Sequence, residues 1–475
     1  AGAAGDDPVG TANDPRRDLD EAERLLRRAP FVRDLVLLPR GEGRPWAVVW
    51  PDEAALRKGG HGDVSQQLRF SLETSSVRLP VGLRPAGITV ARGRAPRSRA
   101  GEVDRAALAR LLGPVPPGVW PARPPEPRHP LPAEWARALA EALPGGAPEG
   151  GLWRETSLEL DLGLDSLDRV TLALAAAEAA GRPAPPDEAI ERVTTLGELV
   201  DLAGGPPREP VRPRPELVFA GEPASGFWLR PARGTWPAVA LCRTAGGALL
   251  ARLLGGVRAE GTGAVDWDER PLILAANHQS HLDAALLARA CPARVHRHLM
   301  FLGYTGYFSA GFGRLVGRLF RICPVSGGPR LLSGLRTAAA ALRAGRVVGI
   351  FPEGERTWDG SLRPLRRGVA WLARHTGARV VPVAIGGGYQ AWPRGWGFTP
   401  HPYRIRFGEP LDPPPPDGTA AEEARFLAGL AGRLSDLLRQ VGQDPVSGDP
   451  LVFAGGPRRA KRRRAADRPG RGVRA

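Results

Sequence analysis

Residues 271–283, PLILAANHQSHLD, decide how this chain is read. Leu272–Ala276 is an apolar run of buried-strand length that stops at Asn277-His278, and Asp283 already lies inside the helix-like run HLDAALLARA. The local pattern is strand, polar turn, helix. Residues five apart on one α-helix diverge by roughly 140°, so His278 and Asp283 would not meet on a continuous helix. The spacing therefore predicts His278 in the turn and Asp283 in the first turn of the helix. There the carboxylate can accept from one imidazole nitrogen, fix the tautomer and leave the other nitrogen as a general base. Such a pair is a hydrolase-type triad without its serine, which points to a substrate that brings its own hydroxyl. A helix cap with a polar core contact is the alternative reading of the same residues.

A second stretch, Val347–Arg356, VVGIFPEGER, is another strand-like run that breaks into a charged turn, followed by Asp359-Gly360 and the basic Arg363, Arg366 and Arg367. A third strand, VVPVAI, is expected over Val380–Ile385. The order NHxxxxD, FPEGxR, VPV resembles the glycerolipid acyltransferase family, the lysophosphatidate acyltransferases and their relatives, over about residues 235–440. The resemblance implies that His278 takes a proton from a glycerol hydroxyl and that Asp283 orients it. It makes Asn277, Glu353, Gly354 and Arg356 substrate-binding, the last three around the acceptor's phosphate or polar head. A guanidinium suits a phosphate because its fork donates two parallel hydrogen bonds. Attack on an acyl thioester then gives an ester and a free thiol, with no metal in the implied site. For Arg356 an ion pair with Glu353 or Glu355 is the alternative. The chain departs from the pattern twice: Glu355 stands where a small residue is usual, and Ser326-Gly327 where a basic residue is expected, with Arg321 or Arg330 as substitutes.

At 475 residues and 42% hydrophobic content, three domains are expected. The formal charge of +16 is carried almost wholly by arginine, Lys58 and Lys461 being the only lysines. Cys242, Cys291 and Cys323 are far apart, odd in number and without metal spacing, which fits a reducing cytoplasm. No run reaches the roughly 20 apolar residues of a membrane span, and no secretory signal opens the chain. It begins at Ala1 and has Met300 as its single methionine, so residues 1–17 are read as a disordered, truncated start.

Residues 18–113 read as a small α+β domain: a charged helix DLDEAERLLRRAP, strands VRDLVLLPR and RPWAVVWP, a helix near Val64–Ser75 and a strand GITVARG. APFVRDLVLL, SSVRLPVGLRPAGITV and RAPRSRAGEVDRAALARLL resemble the small C-terminal domain of acyl-adenylate-forming ligases. That family carries a glycine-lysine pair near the end; here it is Gly101-Glu102, which reverses the charge, and the resemblance implies an idle remnant or docking unit. Residues 114–131 are proline-rich and read as a semi-rigid linker without regular structure.

Residues 132–204 read as a four-helix bundle. Ala133–Gly204 holds 14 acidic and five basic side chains, an acidic module inside a basic chain. The tetrad LDSL around Ser166 resembles the attachment site of acyl and peptidyl carrier proteins. This implies a covalent 4'-phosphopantetheine on an exposed Ser166, installed by a phosphopantetheinyl transferase and carrying an acyl thioester. An ordinary helix N-cap is the other role open to the serine.

Residues 205–234 read as a second linker, able to let the carrier swing. Beyond it TWPAVALCRTAGGALLARLLGGV is helical, with Trp236, Leu241, Leu249, Leu250, Leu253 and Leu254 apolar; it either enters a bilayer interface or packs on the catalytic domain. Tyr304–Phe320 is glycine-rich and apolar, an acyl-binding wall or core. Residues 441–475 read as a basic disordered tail, suited to anionic lipid headgroups. Nothing offers a nucleic-acid motif.

The expected architecture is multidomain: a small ligase-type α+β domain, a carrier bundle, and an α/β acyltransferase domain over 235–440. The expected activity is acyl transfer to a lysophospholipid or glycerol-phosphate-like acceptor, peripheral on the cytoplasmic face of the inner membrane. The donor is the chain's own carrier, a separate carrier protein or coenzyme A. A fragment of a bifunctional acyl-carrier synthetase and acyltransferase, or a non-catalytic carrier or scaffold, are the alternatives.

Overall fold

The computed structural model describes residues 15–446 except 41–42, 59–63, 77–78, 81–82, 86, 93–94, 99–101, 114–118, 121–128, 144–145, 149–150, 222, 224–235, 305–316, 318–320, 326–328, 358–359 and 393–397. The start at 1–14, the tail from 447, most of the glycine-rich wall after Tyr304, and Gly101, Ser326, Gly327 and Asp359 therefore lie outside the described residues.

The N-terminal unit runs α1 (Pro15–Leu26), β1 (Val32–Arg40), β2 (Gly43–Pro51), α2 (Glu53–Lys58), α3 (Val64–Ser76), β3 (Gly87–Ala91), α4 (Arg105–Leu112) and β4 (Val119–Trp120). Its sheet has the order β1-β2-β3-β4, antiparallel between the first pair and parallel thereafter. Successive side chains of a strand point to opposite faces, so Leu35 and Leu37 enter one core while Val36 and Leu38 enter another. β4 falls in the proline-rich stretch expected to lack regular structure. Val119 and Trp120 pair with Val90 and Ala91, since a β-branched and an aromatic residue suit an edge strand between prolines.

Four helices follow: α5 (Ala133–Ala142), α6 (Ser166–Ala179), α7 (Asp187–Arg192) and α8 (Leu196–Ala203). The described stretch after them, 205–221, is no free tether. It carries a short helix, α9 (Glu216–Phe219), and buries Val211, Val218 and Phe219, because these apolar residues leave water by packing against the neighbouring helices.

The last unit contains α10 (Trp236–Leu253), β5 (Val257–Glu260), β6 (Leu272–Ala276), α11 (Asp283–Ala290), β7 (Leu299–Tyr304), β8 (Ile322–Val325), α12 (Pro329–Arg343), β9 (Val347–Ile350), α13 (Gly368–Thr376), β10 (Arg379–Gly386), α14 (Gly388–Ala391), β11 (Tyr403–Phe407) and α15 (Ala420–Gln440). Seven strands form one sheet, ordered β5-β11-β10-β6-β9-β7-β8, parallel throughout except between β10 and β11. The central β6 reads as an unbroken apolar run because both faces are covered. Ile273 and Ala275 face one core, Leu272, Leu274 and Ala276 the other.

The first of these cores is continuous with the carrier bundle and α9, whose Leu139, Leu167 and Phe219 belong to the same buried cluster as Leu335 and Val369. Arg336 of α12 fastens it, donating to the Val218 carbonyl at 2.8 Å and to both Asp187 oxygens at 3.1 and 3.3 Å. The N-terminal unit rests on the carrier: Glu159 accepts from the N–H groups of Val64 and Ser65 at 2.9 and 3.0 Å, Arg92 pairs with Asp161, and Leu160 enters the N-terminal core.

Residues 441–446 belong to the folded unit rather than to a tail. Val441 is buried, Gln443 donates to the Gly360 carbonyl at 2.8 Å and the Pro445 carbonyl accepts from Leu362 at 2.8 Å. In α10, Leu250 packs on the core, as does Leu254 just past its end, whereas Leu249 and Leu253 stay exposed. Among the described residues no helix is long and apolar enough to cross a membrane.

Candidate active site

β10, β6 and β9 are adjacent and parallel, so their carboxyl ends deliver Gly386, Asn277-His278 and the loop 351–356 to one place. Open α/β sheets form their sites at such strand ends. His278 leaves β6 in the turn, and α11 begins at Asp283, as the spacing requires. His278 Nδ1 lies 2.9 Å from Asp283 Oδ2, and the same oxygen accepts from the N–H groups of Gln279 at 2.6 Å and Ser280 at 2.8 Å. Asp283 is wholly buried, while the His278 side chain keeps 22% of its surface exposed and so remains within reach of a substrate. Its ring stacks on Phe351, centroids 4.0 Å apart. A carboxylate at Nδ1 favours the tautomer in which that nitrogen donates and Nε2 is the basic one.

The second motif grips the turn from behind. Glu353 Oε1 accepts from the His278 N–H at 2.6 Å and Oε2 from the Arg363 N–H at 2.8 Å. The Thr357 N–H donates to the His278 carbonyl at 2.8 Å. Burial pushes the Glu353 carboxyl up to about 8, against the pull of the two backbone N–H groups. Gly354 has φ +75°, and a Cβ there would meet Arg366 Cδ at 2.7 Å. Glycine adopts this conformation without penalty, and its bareness lets Arg366 cross the loop.

The expected site residues thus converge, but not all in the expected manner. Both oxygens of Glu353 are taken by backbone N–H groups, so it braces the turn instead of facing an acceptor. Asn277 also braces: its amide donates to the Ile385 carbonyl at 3.0 Å and accepts from the Ile385 N–H at 2.7 Å, tying β6 to β10. Arg356, the last residue of the loop, is buried. Arg321 is buried as well, at φ +53°. Phe351, Thr357 and Gln279 escape sequence reading; the phenylalanine stands inside the FPEG motif, but nothing in its spacing announces a ring under the imidazole.

At the carrier's α6, Asp165 is the N-cap, accepting from the N–H groups of Leu167 and Asp168, while Asp168 accepts from the Asp165 N–H. The capping role open to Ser166 is therefore filled by its neighbour. Ser166 is half-buried rather than exposed, because the first turn of α6 packs on α13: Leu167 lies against Gly368 and Asp168 pairs with Arg367. Cys291 and Cys323 are buried with their thiols pushed up, that of Cys323 to about 12, as expected for packing groups. Among the described residues no three His, Cys, Asp or Glu side chains gather to hold a metal ion.

Residues 258–386 match the family described as Acyltransferase, and residues 137–203 the one described as Phosphopantetheine attachment site. The chain carries an acyltransferase domain and, fused to it, a carrier domain of the kind that holds 4'-phosphopantetheine covalently. In particular, its acyltransferase domain is similar to proteins named 1-acyl-sn-glycerol-3-phosphate acyltransferase. The alpha form of Homo sapiens is 27% identical over 214 residues, 43% of this chain and 72% of that protein. The Pseudomonas aeruginosa protein is 29% identical over 165 residues, and the match spans 34% of this chain and 61% of that one. A solved 1-acyl-sn-glycerophosphate acyltransferase from Thermotoga maritima aligns with 24% identity and a TM-score of 0.36, covering 44% of this chain and 83% of that one.

Proposed function

We propose that this protein transfers an acyl group from a thioester to the free hydroxyl of a lysophosphatidate-like acceptor, a step of phospholipid synthesis. The 2.9 Å contact of His278 Nδ1 with Asp283 Oδ2, at the end of β6, carries this reading. His278 Nε2 takes the proton of the acceptor hydroxyl while its oxygen attacks the thioester carbonyl carbon. The carbon–sulfur bond then breaks, and the imidazolium returns the proton to sulfur, giving an ester and a thiol. Asn277 and Glu353 hold the turn in place for this exchange, and Arg356, Arg363 and Arg366 supply positive charge for the acceptor's phosphate.

The carrier domain supports a donor held on the same chain, with a separate carrier or coenzyme A as competing donors. When attached, 4'-phosphopantetheine presents acyl groups as thioesters, and we assign its attachment, by a phosphopantetheinyl transferase, to Ser166. The position fits: Ser166 opens α6 and Asp165 relieves it of capping. The N-terminal unit, similar to the small domain of acyl-adenylate-forming ligases in the segments quoted above, is read as a docking unit, since Glu102 puts a negative charge where that family has a lysine. Exposed Leu249 and Leu253 support a peripheral position on an anionic membrane, at its cytoplasmic face.

Treated with a phosphopantetheinyl transferase, the protein is expected to gain the mass of one arm, and S166A none; modification of S166A would refute that assignment. Loaded with an acyl group and given lysophosphatidate, the wild type passes the acyl group to the lipid and H278A keeps it. Absence of transfer from both the loaded carrier and acyl-coenzyme A overturns the reading.

A further inference from the structure

Position 355 departs from the acyltransferase pattern, and the structure gives the departure a role. Glu355 Oε1 accepts from Arg69 Nη1 at 2.5 Å and forms an ion pair with Arg363 Nη2 at 3.0 Å, with only 9% of the glutamate side chain exposed. Arg69 belongs to α3 of the N-terminal unit, 286 residues away along the chain. Two guanidinium groups are therefore drawn to a single carboxylate oxygen. Their mutual repulsion would otherwise part them; the carboxylate offsets one positive charge and leaves one over.

One member of this cluster is tied through its backbone to the turn that carries His278. The Arg363 N–H donates to Glu353 Oε2, and the other oxygen of that carboxylate holds the His278 N–H. Arg69 is presented from an anchored helix, since Glu159 of the carrier caps the start of α3 and Arg92 pairs with Asp161. A phosphate monoester carries close to two negative charges at neutral pH and offers three acceptor oxygens, so it can receive forks from two guanidiniums at once.

We propose that Arg69 is a specificity-determining residue of the acceptor site, and that Glu355 is the template that keeps Arg69 and Arg363 side by side as a clamp for the acceptor's phosphate monoester. The inference rests on the acyl-transfer reading above. It makes recognition of the acceptor depend on the N-terminal unit, which contributes a ligand and no chemistry of its own.

The test compares lysophosphatidate with monoacylglycerol, which offers a hydroxyl without the phosphate, using one acyl thioester donor. R69M is expected to lower kcat/KM for lysophosphatidate roughly ten- to hundredfold, chiefly through KM, and to leave monoacylglycerol unchanged. R69K, which keeps the charge but loses the fork, falls between. Equal losses on both acceptors in both variants, or no loss in either, overturn the clamp while acyl transfer stands. A wild type without turnover overturns the transfer reading instead. Calorimetric binding of glycerol 3-phosphate then decides the clamp alone: weaker binding in R69M than in the wild type supports it, and equal binding, or none to either, refutes it.

Discussion

The His278 N–H donates to Glu353 Oε1 over 2.6 Å, so one buried carboxylate joins the two motifs before any substrate arrives. Burial raises that carboxyl from an ordinary 4.5 to about 8. Below pH 4.5 both folded and unfolded chains hold the proton, and the contribution of Glu353 to stability is fully present. Between there and pH 8 only the unfolded chain ionises, so stability falls as pH rises, by up to roughly 1.4 kcal/mol per unit. Urea midpoints at pH 5 and pH 8 should show this decline in the wild type and a smaller one in E353Q. Equal declines in the two proteins would contradict it.

In the proposed mechanism Asp283 acts through His278, so its loss should be visible in rate rather than in fold. D283N places an amide where the imidazole and two N–H groups now meet one carboxylate oxygen. Turnover is expected to drop roughly 10²- to 10⁴-fold, and H278A to leave no measurable transfer. Single-turnover rates check both. D283N at wild-type rate would remove the pair from the mechanism.

Gly354 is held at φ +75° with Arg366 where a Cβ would go. G354A should cost roughly 1–2 kcal/mol for the left-handed conformation alone, with more for displacing the arginine. A lowered melting temperature together with a higher KM for the acceptor is the expected pair of effects. An unchanged melting temperature would show that the loop relaxes freely.

Arg336 spans the carrier and the α/β unit, 10% exposed and bonded to Asp187 and to the Val218 carbonyl. R336A leaves both partners without this donor, at a cost of roughly 1–3 kcal/mol. Limited proteolysis should then cut between residues 205 and 222 faster than in the wild type. Identical cleavage rates would mean that the apolar contacts alone hold the carrier in place.

Leu249 and Leu253 lie one turn apart on α10 and are 60% and 57% exposed, whereas Leu250 and Leu254 pack inward. Burying a leucine in a membrane interface stabilises binding by roughly 1.5–3 kcal/mol. Sedimentation with anionic vesicles should therefore weaken at least tenfold in L249D/L253D. Unaltered sedimentation would refute a membrane contact through α10.

Much of the site was legible because its signals are local. The apolar run Leu272–Ala276, the break at Asn277 and the five-residue step to Asp283 specify a strand, a turn and a helix phase, and together these bring imidazole to carboxylate. The helices of the carrier follow from their apolar spacing in the same way. Asn277 and Glu353 were legible as members of the site but not as braces, since their partners are backbone groups supplied by β10 and by the loop near Arg363.

Sequence by itself determined the two motifs and the strand, turn and helix that bring His278 to Asp283, because each depends on residues a few positions apart. Tertiary structure alone decided that Ser166 is half-buried, that Val119-Trp120 extends the N-terminal sheet, and that Glu355 meets Arg69. Those facts depend on which faces of three packed units close on one another. No local spacing encodes a contact between residues 286 apart.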